Sequence, residues 1–238
     1  MNKNIIVIPT YNEAKNIPIL LKEIFELLPD VYVMVVDDNS PDGTGEIVTE
    51  LGKKYPHLLL LKRPQKNGLG QAYITAFKKI LDKGNPTTIT MMDADLSHNP
   101  KYLPEMLELS KKYGLVVGSR YIKGGGITKK WGIQKKILST GANLYIKIIL
   151  GRHIADWTNS YTVMRTEFLR KINLDNLNTK GYAFLPSLKY HLIKNGARPK
   201  EVPIFFDERN EGKSKRSLSI IAENIIMPWK IKIREFLK

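Results

Sequence analysis

Five short apolar runs punctuate the first 121 residues: NIIVIP (4–9), VYVMVVDD (31–38), HLLLLKR (57–63), TTITMMD (87–93) and GLVVGSRY (114–121). A strand wetted on one face alternates apolar and polar side chains; a run apolar at consecutive positions is covered on both. Between the runs, apolar residues recur at helical spacing. The first such segment carries Ile17, Leu20, Leu21, Ile24, Phe25 and Leu28, with Asn12 or Asn16 as its cap. The second places Ile47, Val48 and Leu51 on one face behind Ser40 or Asp42, and further helices are expected over 68–81 and 100–113. Strands alternating with helices predict an α/β fold with a mainly parallel central sheet and helices on both faces.

After Tyr121 the pattern changes. A glycine- and lysine-rich stretch, IKGGGITKKWG, leads into an amphipathic helix over about 134–150. A strand at 160–165, a helix near 184–195 and the run KEVPIFFDER (200–209) follow. The last segment, 217–237, has helical spacing interrupted by Pro228.

In a parallel sheet, ligands bind beyond the carboxyl ends of the strands. Three of those ends are polar and acidic: PTYNE (9–13), DDNSPD (37–42) and DADLSH (93–98). Carboxylates converging on one edge repel unless a cation or hydrogen-bond donors lie among them. Asp93 and Asp95 leave their strand together, spaced so that both can reach one ion. Oxygen ligands without a nearby cysteine favour Mg²⁺ or Mn²⁺, shared with substrate phosphates. The competing reading is a simple turn in which Asp95 caps the helix beginning near Pro100. The companion acidic ends favour the ion.

Charge is unevenly spread. Residues 1–100 hold 11 Lys+Arg against 12 Asp+Glu, and residues 101–238 hold 27 against 11. The second part is thus suited to nucleic acid, phosphorylated substrates or an anionic membrane surface, unless its lysines only solvate the protein. Nucleic acid is disfavoured: aromatics are not interleaved with the basic clusters, and no recognition helix or sheet platform is legible. The absence of cysteine excludes disulfides, thiolate metal sites and cysteine nucleophiles. Pro9-Thr10-Tyr11 stands where a dinucleotide-binding fold would carry glycines, and no P-loop is present. No Ser–His–Asp arrangement is legible, and the four histidines are scattered.

The start MNKNIIVIPTYNE meets a proline and an acidic residue too early for a signal peptide, and no apolar run approaches the roughly 18 residues that span a bilayer. A protein that is soluble, or lies on a membrane without crossing it, is expected. In LSIIAENIIMPWKIKIREFLK, Leu218, Ile221, Ile225, Trp229, Ile233 and Phe236 form an apolar face, with Lys230, Lys232, Arg234 and Lys238 beside it. That pattern fits an interfacial helix. It equally fits a helix packed on its own core, and a membrane-anchoring partner subunit is a third route to the bilayer.

Five stretches in order, VIPTYNEAKNI, VVDDNSPDGT, NGLGQAYITAFK, MDADLSHNP and VGSRYIKGGG, resemble the inverting GT-A glycosyltransferases of family 2. More narrowly they resemble the dolichol-phosphate mannosyltransferase (polyprenol-phosphate hexosyltransferase) group, over about residues 3–217. The resemblance implies a single GT-A catalytic domain over 1–216, with a nucleotide-sugar half (1–121) and an acceptor half (122–216), followed by a C-terminal amphipathic helix (217–238). It assigns Pro9, Tyr11, Glu13, Val36 and Asp38 to the base and ribose, with Asp37 beside them. Asp93, Ala94 and Asp95 fall to the diphosphate of GDP-mannose or a similar donor, with Mg²⁺ or Mn²⁺ on Asp93 and Asp95. Arg120, Arg209 and Lys215 fall to phosphate. Ser139, Lys135 and Ser214 fall to the acceptor phosphate of a polyprenyl or dolichyl phosphate. Asp156 opens the acceptor segment, facing a sugar hydroxyl or a cation. The group thereby implies catalytic roles for Asp95, Arg120, Asp156 and Arg209, no nucleic-acid partner, and a peripheral place on the cytoplasmic face of a membrane.

A lipid phosphate is already anionic, so such a transfer needs cations and alignment more than a strong base. The chain departs from the group in three ways. Lys135 stands where relatives often have Arg, which loses the bidentate fork. Thr158-Asn159-Ser160-Tyr161-Thr162 replaces a common Thr-Ser-Gly-Phe-Arg. The transmembrane helices that some members carry are missing. A UDP-sugar donor or a non-lipid glycan acceptor is the alternative within the family.

Overall fold

A computed structural model describes residues 4–127, 133–177, 183–206 and 225–233. Its framework is a seven-stranded sheet in the order β3-β2-β1-β4-β7-β5-β8. The strands are β1 (Asn4–Thr10), β2 (Tyr32–Asp37), β3 (Leu58–Lys62), β4 (Thr88–Met91), β5 (Leu115–Ser119), β7 (Thr162–Arg165) and β8 (Pro199–Pro203). All neighbours run parallel except β7, which is antiparallel to both β4 and β5. Two short strands, β6 (Gly126–Ile127) and β9 (Phe205–Phe206), pair beside it.

The continuous apolar runs follow from burial on both faces. Successive side chains of a strand point to opposite sides. Accordingly Ile5, Val7, Met34, Val36, Ile89 and Met91 join one core, and Ile6, Ile8, Val33, Val35 and Met92 the other. Helices α1 (Ile17–Leu27), α2 (Thr44–Leu51) and α4 (Leu103–Ser110) cover the second face. Helices α3 (Leu69–Lys83), α5 (Ile133–Leu150) and α7 (Phe184–Lys194) cover the first, with a helix at 225–233, here α8. A one-turn helix, α6 (Thr166–Leu169), directly follows β7. On α1 the buried set is Ile17, Leu20, Leu21, Ile24 and Phe25, and each such burial contributes about 1.5–3 kcal/mol.

Helix starts differ in detail from expectation. Asn16 precedes α1, but its side chain donates to Glu13 Oε2 at 2.8 Å rather than capping, and Asn12 lies in the left-handed region at φ 63°. Gly43, not Ser40 or Asp42, precedes α2, and Asp42 Oδ1 accepts from the first amide of that helix, Thr44 N, at 3.1 Å. The capping alternative for Asp95 is corrected. The turn at Pro100–Tyr102 that leads into α4 is capped by Asn99, whose side chain accepts from Lys101 N at 3.0 Å. Asp95 instead closes its own loop on Ser97. The C-terminal run also divides its faces. Ile231 is buried in the core, while Ile225, Trp229 and Ile233 are exposed. Leu218, Ile221 and Phe236 lie outside the described residues.

Candidate active site

The carboxyl ends of β1, β2 and β4 form one edge, and the reversed β7 brings its amino end to the same place. Thr10 pairs in register with Asp37, and Val7 pairs with both Met34 and Met91. Asp37 and Asp93 therefore flank Thr10, about two strand spacings, roughly 10 Å, apart. The residues in left-handed backbone that are not glycine, among those described, are Asn12, Asn39 and Leu96. Each lies in the loop leaving one of these three strands. Such conformations cost of order 1 kcal/mol or more for a residue like leucine and persist only where surroundings enforce them.

On the β1–β2 side the loops are knitted together by backbone amides. Asn12 N donates to Ser40 Oγ (3.1 Å), Glu13 N to Thr44 Oγ1 (3.0 Å) and Ala14 N to Asp42 Oδ2 (3.0 Å). Asp37 is buried and takes hydrogen bonds from Thr10 Oγ1, Ser40 Oγ and Ser40 N. Asp38 pairs with Arg63 at 2.6 Å, both side chains being 8% exposed. Burial raises the Asp38 pKa above the ordinary aspartate value in spite of that arginine. Tyr11 is exposed, with the Lys66 ammonium 4.0 Å from its ring centroid. Pro9 and Val36 are partners in register one residue deeper, Val36 fully buried. The result is a polar floor with one open aromatic face beside two buried carboxylates.

At the β4 exit, Asp93 accepts from Ser160 Oγ at 2.8 Å, and Asp95 Oδ1 accepts from Ser97 N and Oγ at 3.1 and 2.5 Å. Ala94 between them is buried. The backbone N–H of Asp93 donates to His98 Nδ1 at 3.0 Å, which fixes the Nε2–H tautomer. That Nε2–H then donates to Asn159 Oδ1 at 2.9 Å, and Asn159 Nδ2 donates to Gly118 O. His98 is buried against Tyr161, stacked at 4.8 Å between centroids.

Among the described residues no group of three or more His, Cys, Asp or Glu converges as a metal cage. Two carboxylates at one strand exit, both oriented by hydroxyl donors, are a donor set for a hard ion that completes its shell with ligand oxygens. The residues present fit Mg²⁺ or Mn²⁺ in that shared mode.

The third part of the edge is a buried ion pair. Arg120 follows β5 and meets Asp156 through Nε (2.7 Å), Nη2 (2.8 Å) and its own backbone N (3.1 Å). Nη2 also donates to Thr158 Oγ1 at 2.9 Å. Complete burial opposes the charge on Asp156, yet Arg120 and Lys189 outweigh it and hold its pKa below the usual aspartate value. Burial likewise works against the Arg120 charge, and Asp156, Tyr121 and Asp93 raise its pKa over that opposition. Ser139, on α5, shares a 2.8 Å hydrogen bond with Tyr121 Oη.

The structure thus brings Asp93 beside the Arg120–Asp156 pair, and groups Tyr11, Asp37 and Asp38 separately beyond β1. Arg209, Ser214 and Lys215 lie outside the described residues, as does the side chain of Lys135. Sequence reasoning missed His98, Asn143, Ser160, Lys189 and Glu201. For Lys189 a signal existed: it falls on the apolar stripe of α7, between Leu185, Leu188 and Leu192.

Comparisons with known proteins agree with this fold. The family model described as "Glycosyl transferase family 2" matches residues 5–173. An undecaprenyl-phosphate mannosyltransferase of Micrococcus luteus is 40% identical over 220 residues, 92% of this chain and 90% of that protein. A polyprenol monophosphomannose synthase of Mycolicibacterium smegmatis is 39% identical over 236 residues, 98% of this chain and 88% of that protein. Among solved structures, glucosyl-3-phosphoglycerate synthase from Mycobacterium tuberculosis with Mn²⁺, UDP and phosphoglyceric acid matches 98% of this chain and 78% of its own, with TM-score 0.69 at 14% identity. The same enzyme with Mg²⁺ and UDP matches with TM-score 0.67, also at 14% identity, over 98% of this chain and 79% of its own. At that identity the likeness speaks for the fold alone, which is GT-A.

Proposed function

The chain belongs to glycosyl transferase family 2, and on that premise we propose that it moves mannose from GDP-mannose onto the phosphate of a polyprenyl phosphate, with inversion. The observation that carries this reading is its likeness, over nearly its whole length, to two enzymes named for mannose transfer to polyprenyl phosphates. The charge layout supports it, since an acidic, near-neutral first part adjoins a strongly basic second part.

In this reading the base and ribose lie on Tyr11, Asp37 and Asp38, and Asp93 and Asp95 hold Mg²⁺ or Mn²⁺ against the donor diphosphate. The bound ion supplies positive charge to the departing diphosphate. Arg120 keeps its cation at a fixed place between donor and acceptor, because Asp156 occupies Nε and Nη2 and leaves Nη1, among the described residues, to face phosphate. Ser139 and Tyr121 sit on the acceptor side, and Arg209, Lys215, Ser214 and Lys135 complete the phosphate contacts. The acceptor is an anion when it arrives, so no residue has to deprotonate it; the side chains align it and offset its charge.

The acceptor's lipid tail suits a membrane surface. The outer side of α5 exposes Ile137, Leu138, Leu144 and Ile148, and α8 exposes Ile225, Ile226, Trp229 and Ile233. Tyr145 Oη joins the two helices through a 2.6 Å hydrogen bond to Ile225 O. No described helix is long and apolar enough to cross a membrane. We place the protein peripherally on the cytoplasmic face, with lysines 147, 230 and 232 near anionic headgroups. A membrane-anchoring subunit would use the same face.

The deciding experiment incubates the purified protein with Mg²⁺ or Mn²⁺, polyprenyl phosphate and labelled GDP-mannose, UDP-glucose or UDP-GlcNAc. Label should pass into the organic phase from GDP-mannose and should need the metal. Label on a soluble glycan from any donor, without lipid product, would overturn the acceptor assignment; lipid product from a UDP-sugar alone would overturn the donor.

A further inference from the structure

The segment Ala155–Ser160 carries no helix or strand, yet it links the two charged parts of the edge. Asp156 holds Arg120, and Ser160 holds Asp93. Side chains hold five of its amides. Ala155 N and Asp156 N donate to Glu201, Trp157 N and Thr158 N to Asn143 Oδ1, and Asn159 N to Asp156 Oδ1. Three of its carbonyls converge on one group. Lys189 Nζ donates to Asp156 O (3.0 Å), Trp157 O (3.3 Å) and Asn159 O (2.6 Å).

Lys189 is 1% exposed, on a helix otherwise packed with Phe184, Leu185, Leu188 and Leu192. A lysine there is costly to bury and packs no better than leucine would. Its chemistry matches its surroundings one for one: an ammonium has three donors and no acceptor, and three carbonyls face it. The amine form has two donors and a lone pair, so one carbonyl would meet a lone pair instead of a proton.

We propose that Lys189, as the ammonium, is a positioning residue for glycosyl transfer, fixing 156–160 so that Asp156 stays on Arg120 and Ser160 stays on Asp93. It touches neither donor nor acceptor and acts through those two contacts. The assignment to the transfer step rests on the functional reading above; the tethering itself does not.

Burial pushes the Lys189 pKa down to about 8, with Asp156 and Glu201 opposing that shift and Arg120 adding to it. The other elements packed on α7 bring Tyr73 and Phe77 of α3 against Phe184, and Lys232 of α8 over Tyr190. The turn Leu174–Leu177 also packs there, and its Asp175 is exposed and paired with Lys78. Because the folded pKa lies below the ordinary lysine value, the ammonium form predominates below about pH 8, is nearly complete about a unit lower, and is lost as pH rises through about 8.

The test compares the full chain with Lys189→Met and Lys189→Arg. Amide exchange of residues 155–160 is expected to quicken about tenfold or more in Lys189→Met, corrected for intrinsic rates, with little change in β1–β4. Unaltered protection of that segment would overturn the tether. In turnover, Lys189→Met should lower kcat about tenfold or more while GDP affinity by calorimetry stays within about twofold. The wild type should lose kcat as pH rises from 7 to 9.5, and Lys189→Arg should retain it to higher pH. Wild-type kcat that is flat across that range would overturn the role of the ammonium. Absence of any wild-type lipid product would count against the acceptor reading, while the exchange measurement still decides the tether.

Discussion

The Asp156 carboxylate and the Arg120 guanidinium meet edge to edge, Oδ2 to Nε at 2.7 Å and Oδ1 to Nη2 at 2.8 Å, with both side chains buried. A buried pair of this kind is weak evidence of net stabilisation, but removing one partner strands the other charge. Asp156→Asn should therefore cost about 3–5 kcal/mol. For a chain of this size that corresponds to a fall of roughly 10 °C in Tm by calorimetry. A Tm within about 2 °C of the wild type would show that Arg120 finds another partner.

The same pair sets a pH dependence with a definite sign. The Asp156 pKa is lowered in the folded protein, so its contribution is complete above the unfolded aspartate value of about 3.9 and is lost as pH falls through the lower folded value. The Tm difference between wild type and Asp156→Asn should stay constant from pH 5 to 7. It should shrink only below about pH 4. A difference that already closes between pH 7 and 5 would mean another group carries it.

Asp93→Asn and Asp95→Asn should each lower metal-dependent kcat by about 10²-fold or more, the usual scale for one lost charge-stabilising group. Ser160→Ala removes only the donor to Asp93 Oδ1 and should cost about 10-fold. Steady-state rates across a Mn²⁺ titration separate the cases, the aspartate variants shifting the metal midpoint and Ser160→Ala shifting it less. Unchanged turnover in Asp95→Asn would remove that residue from the site.

Ile148 and Trp229 are exposed by 72% and 54%, one on α5 and one on α8. Replacing each with serine should weaken sedimentation with anionic vesicles by about tenfold per residue while leaving Tm unchanged, since neither side chain packs in the core. Equal binding of the variants and the wild type would move membrane contact to another surface.

The strands and their acidic exits were readable because apolar runs and polar ends are local patterns, as at Ile5–Ile8 followed by Tyr11–Glu13. What stayed hidden was pairing over distance. Nothing in a four-residue run such as Thr162–Arg165 states its direction, and its insertion between β4 and β5 depends on partners more than 40 residues away. The Arg120–Asp156 contact joins residues 36 apart, so each could be singled out but not matched. Lys189 was overlooked for the opposite reason. Its helix reads as amphipathic, and one lysine on the apolar stripe looks like noise until three carbonyls are found around it. The caps failed on a finer scale, where Asn99 and Asp95 are equally good acceptors and only loop geometry chooses.

The reversed strand β7 has a mechanical consequence. By lying between β4 and β5, it joins β1 to β4 with β5 and β8 in one continuous hydrogen-bonded sheet. The spacing between the Asp93 exit and the Arg120 exit is then a fixed length, counted in strands like marks on a ruler. In the proposed reaction, donor and acceptor are gauged against that spacing, and the one that does not fit must itself bend.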